Sequence, residues 1–174
     1  METSHFNLSA EVLYQEALHS VEEKIKNAKI DGTPISEGHR LMELAEIHLK
    51  MHCVIQAEEE LVNALMLLLE YSNDLLRRGN AMPDYIPRIL FQQEYRSVQI
   101  TILQTCIKAA NILSGICECA CRKKDVKRYD KISLQLQELL RKETDNLSGP
   151  QLIPTKVVGT DFISVHVSPI YRSS

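Results

Sequence analysis

Apolar side chains recur every three or four residues through most of this chain, a period that predicts helices and no strands. Five segments follow from it. The first runs from about Leu8 to Ile30, with Ser9 as the expected N-cap, and stops at the turn signal Asp31-Gly32-Thr33-Pro34. The second starts at Ser36 and carries the stripe Leu41, Leu44, Ala45 and Ile47, which His48 interrupts. A turn near Met51–Val54 leads to a third helix from Ile55 to Arg78. No Gly or Pro marks that turn, so one long helix from Ser36 to Arg78 is the alternative. Gly79 to Pro83 closes the third segment. A fourth follows from Ile86 to Cys119, with Pro87 in its first turn. The fifth, from Asp125 to Thr144, sets Ile132, Leu136, Leu139 and Leu140 on one face and ends before Ser148-Gly149-Pro150.

Residues 8–145 therefore form one all-α domain of antiparallel helical hairpins. Residues 150–174 change character: three prolines and the β-branched run around Val157–Val167 predict an extended or disordered C-terminal tail. A strand there would need a partner edge. Ser168-Pro169 has the form of a proline-directed phosphorylation site, a form that also arises by chance.

The most specific stretch is Leu41–Leu69. Leu41, Leu44 and Ala45 mark one helix, and Ala57, Leu61 and Ala64 mark the next. Alanines at such positions let two backbones approach, and leucines fill the space between them. On these residues, with Val54 near the turn, the chain resembles a tetratricopeptide repeat. Ala10, Tyr14 and Ala17 resemble a second helix of that repeat without its first. Leu113, Ile116, Cys117, Val126, Tyr129 and Leu136 make a degenerate third match. The spacing is irregular, Met51, His52 and Cys53 replace the family's turn residues, and no proline follows the second helix at the usual distance. The same Ala/Tyr spacing resembles the three-helix MIT module of trafficking proteins. Both resemblances imply protein–protein binding, and a plain five-helix bundle remains the alternative architecture.

Composition narrows the classes further. Aromatic content of 5% with no Trp suits leucine/alanine packing rather than a sheet core. The net charge of −3 hides an acidic half before residue 80 and a basic half after it. Nucleic-acid binding would want a stronger, one-signed excess, so no specific nucleic-acid partner is expected. Five cysteines, an odd number, with no leader-like start, point to reduced thiols in the cytoplasm or nucleus. The longest apolar run, Ala64–Leu69, is too short to span a bilayer.

Candidate chemistry is sparse. His48 and His52 lie four apart with Cys53 adjacent, a spacing that can share zinc on a helix. Cys117 and Cys121 would share a helical face while Cys119 points away, so the three do not converge, and packed thiols are the expectation. No metal or other cofactor is expected. The run Glu58-Glu59-Glu60 reads as a solvent face. Arg122, Lys123 and Lys124 open the densest basic run, at the turn between the fourth and fifth helices. No phosphate loop, nucleophile elbow or paired carboxylates appear, so no catalysis is expected.

The expected function is a non-enzymatic adaptor or complex subunit that binds a peptide or partner helix in a groove between helices. A self-associating scaffold piece and an MIT-like interaction module are the alternatives. The expected partner-binding residues are Glu46, Lys50, Gln56 and Asn63, with Arg122, Lys123 and Lys124.

Overall fold

The computed structural model describes residues 3–31, 33–81 and 87–148, with side chains described for residues 12–27, 33–78 and 95–145. The expected tail, 150–174, lies outside the described residues. The described residues form five helices: α1 (Thr3–Asp31), α2 (Pro34–Lys50), α3 (Val54–Ala81), α4 (Pro87–Cys119) and α5 (Lys123–Ser148). The fold is all-α, and consecutive helices pack on one another.

Three boundaries differ from the sequence expectation for identifiable reasons. Pro34 does not belong to the turn but opens α2, because its fixed φ suits a first helical position; Thr33 precedes it as N-cap. Ser9 lies inside α1 rather than capping it. Gly79 does not end α3, which runs on to Ala81; a glycine costs a helix only about 1 kcal/mol, so it need not stop one.

Side-chain bonds between helices give their directions. His48 on α2 meets Glu60 on α3, and Gly38 approaches Leu68, so the two helices run antiparallel. Ser72 on α3 meets Gln99 on α4, while Glu58 meets Arg122 beyond the end of α4, again antiparallel. Asn111 with Ser133, and Ser114 with Asp130, set α5 antiparallel to α4. The chain thus folds as two hairpins, α2/α3 and α4/α5, with α1 laid against α2. The core between them holds Leu61, Leu65, Leu68, Ile102, Leu103, Leu113 and Leu136, all fully buried. Each contributes about 1.5–3 kcal/mol by leaving water. Ala45, Ala57 and Ala64 are also fully buried, as the close-approach pattern requires.

Both hairpins turn in the same way. At the end of α2, His52 takes a left-handed conformation, with φ of 59°. Its N–H donates to the Leu49 carbonyl (3.1 Å), and the Cys53 N–H donates to the His48 carbonyl (2.8 Å). At the end of α4, Cys121 has φ of 58°, with Cys121 N–H to Glu118 O at 2.9 Å and Arg122 N–H to Cys117 O at 2.8 Å. This pair of bonds is the Schellman closure, which satisfies carbonyls the helix leaves open. The carbonyls of Cys53 and Arg122 then accept from Ala57 and Val126, so the residue closing one helix also opens the next. The turn is confirmed, and the single long helix is excluded.

Candidate interaction surface

Between the two hairpins, α2 also touches α4. His39 Nε2 lies 3.1 Å from Thr105 Oγ1, and Lys108 Nζ donates to Glu46 Oε1 at 2.5 Å. Both contacts advance along both helices together, so α2 and α4 run side by side in the same direction. Thr105 Oγ1 gives its only proton to the Thr101 carbonyl (2.9 Å), so His39 Nε2 must be the donor to Thr105. The surface here is polar: Thr101, Gln104 and Lys108 are exposed on α4, and Lys50 is exposed one turn beyond Glu46 on α2.

No protein-family model matches this chain, and neither a curated protein nor a solved structure matches it. Its functional reading therefore stands on its own geometry.

The expected binding residues separate into three places. Glu46 faces α4 and holds Lys108, with Lys50 beside it. Gln56 and Asn63 lie with Glu59, Met66 and Glu70 on the exposed stripe of α3. The other faces of α3 pack on α2 and α4, so this stripe points away from both. Lys123 and Lys124 are exposed at the start of α5. Arg122 is not free with them: its Nη2 donates to Glu58 Oε2 at 2.8 Å, and Nη1 lies 3.7 Å from Asp125.

The acidic run is consequently not a solvent face. Only Glu59 is exposed; Glu58 is buried beneath Arg122, and Glu60 Oε2 accepts from His48 Nδ1 at 2.8 Å. Burial pushes the Glu60 carboxyl above its usual range, although the hydrogen bond and charge of His48 pull it down. These side-chain pairs clamp the hairpins internally: the His48–Glu60 hydrogen bond joins α2 to α3, and the Glu58–Arg122 ion pair joins α3 to the second turn. The interruption of the α2 stripe by His48 was a signal of this, since a polar group at a core position needs a partner. Nothing in the sequence named Glu58 as the partner of Arg122.

The histidine and cysteine patterns resolve in the same way. His52 sits in the left-handed turn rather than on the helical face of His48, because α2 ends at Lys50. Cys121 likewise leaves the helix, so it does not share a face with Cys117. Packed thiols describe Cys106 and Cys117, which are fully buried, but not Cys119 and Cys121, which are exposed. Burial pushes the Cys106 thiol up to about 12, leaving it protonated and unreactive at neutral pH. Among the described residues, no group of three or more His, Cys, Asp or Glu side chains could hold a metal ion.

Tyr95–Cys119 of α4 is long and apolar enough by composition to cross a membrane, with mean hydropathy 1.4. Its apolar residues Ile102, Leu103, Cys106 and Leu113 are fully buried in the core that α3 and α5 share with it.

Proposed function

We propose that this chain is a non-enzymatic protein-interaction subunit whose hairpins are arranged in the tetratricopeptide manner. In this reading α2/α3 and α4/α5 are successive repeats, and α1 is the second helix of an incomplete one. The first helices of successive repeats, α2 and α4, would line the binding face, and a peptide or partner helix would lie across it. The observation that carries the reading is the parallel, bridged placement of α2 and α4 between two hairpins with the same turn. Glu46, Lys50, Gln104 and Lys108 would present the recognition groups, and a partner displacing Lys108 from Glu46 would gain both charges. Gln56 and Asn63 fall outside this face.

Site-specific photocrosslinking tests the proposal. A photoreactive residue at Gln104 of the full chain should trap a discrete partner in native-cell extract, while one at Glu59, on the outer stripe of α3, should not. Lys108→Glu should abolish the Gln104 product without changing the helical circular dichroism. Equal trapping from both positions, or a product insensitive to Lys108→Glu, would overturn the assignment.

A further inference from the structure

The outward face of α5 carries a set of charges that the fold does not use. Lys123, Lys124, Lys127 and Lys131 are all exposed over the first turns of the helix, and none forms an ion pair with a described residue. Lys24, Lys26, Lys50 and Lys142 are likewise exposed, but only here do four such lysines gather within nine residues of one helix. Arg40, Arg78, Lys108, Arg122 and Arg141 each hold a carboxylate. Three acidic groups of α5 hold other partners: Asp125 lies beside Arg122, Asp130 accepts from Ser114, and Glu138 is held by Arg141. Cations at this end of a helix also oppose its macrodipole, so local stability does not account for them. One turn beyond Lys131, Leu134 is 65% exposed and shares the same outward sector as Lys123 and Lys127.

We infer that this face binds an acidic amphipathic helix of a partner protein. The ligand would set carboxylates against the four lysines and one apolar side chain on Leu134. From Lys123 to Leu134 the face extends about 16 Å, the length of roughly three helical turns. Its chemistry suits a peptide better than stacked bases: no exposed aromatic side chain lies among residues 123–134, where bases would stack, whereas the exposed aliphatic Leu134 stands beside the lysines. This surface is separate from the α2/α4 face, so the two can fail independently.

Fluorescence anisotropy of the full chain with a labelled synthetic Glu/Leu amphipathic helix tests the inference. Lys127→Glu combined with Lys131→Glu should weaken binding at least tenfold, as should 0.5 M NaCl, which screens exposed charges. Leu134→Ser should weaken it several-fold, whereas Lys24→Glu, at an exposed lysine of α1 far along the chain, should leave it unchanged. All these side chains are exposed, and circular dichroism verifies the fold of each variant. Affinity insensitive to the α5 charge reversals, no effect of Leu134→Ser, or tighter binding to phosphatidylserine vesicles or an RNA duplex would overturn the inference.

Discussion

Two glycines show how position decides the effect of the same substitution. Gly38 is buried on α2, and a methyl group there would stand 2.7 Å from Cγ and Cδ2 of Leu68, which is itself fully buried. Leu68 has little room to retreat. Gly38→Ala should therefore destabilise the fold, because overpacking of about 1–3 kcal/mol exceeds the helix-propensity gain of about 1 kcal/mol. Gly115, on exposed α4 surface, would meet nothing within 4 Å. Gly115→Ala should stabilise by about 0.5–1 kcal/mol. Urea denaturation of the two variants checks the opposite signs. At this scale the sequence showed the alanines and leucines of the core but not the clamps. His48–Glu60 and Glu58–Arg122 join residues 12 and 64 apart, and such pairings depend on how helices are laid together.

Helix identity follows from period, but helix ends follow from local bonds. The turn after α2 has neither Gly nor Pro, yet the backbone closes there by the same two hydrogen bonds as the turn after α4. In each, a residue with a side chain takes the left-handed conformation, which costs about 1–2 kcal/mol relative to ordinary backbone. His52→Gly and Cys121→Gly should therefore raise the thermal midpoint, each by the equivalent of about 0.5–1 kcal/mol after the added freedom of the unfolded chain is counted. A midpoint lowered by either substitution would contradict this geometry. The repetition also places side chains in register. His48 and Cys117 precede their left-handed residues by four positions, and Glu60 and Tyr129 follow by eight. The first hairpin fills these offsets with a hydrogen-bonded His–Glu pair, the second with two buried groups, so the repeat is degenerate in residue type.

Across the whole molecule, the burial of carboxylates at helix contacts sets a pH dependence. Glu143 on α5 is raised above the usual carboxylate range by burial, and the charge of Arg96 on α4 offsets this only in part. Tyr95, also on α4, has its phenol pushed up by burial and by Glu143. A folded-state carboxyl above its unfolded value binds its proton more tightly in the native state, so its contribution to stability falls as pH rises from about 4.5 through the raised value. Glu143→Gln should remove that slope. Relative to the unsubstituted protein, the variant should gain stability between pH 4.5 and 8, read from urea midpoints at both ends. A variant that instead loses ground as pH rises would show that Arg96, not burial, dominates.

The sequence by itself determined that this protein is helical, with five segments and close alanine contacts in Leu41–Leu69. Period and side-chain size act within a few residues, so one strand of text carries them. Tertiary structure decided which polar groups face each other, which charges remain for solvent, and that α2 and α4 lie parallel. Those outcomes depend on crossing helices that are distant along the chain. Arg122 and Lys123 stand side by side in the sequence, yet burial of Glu58 claims the first for the fold and leaves the second exposed.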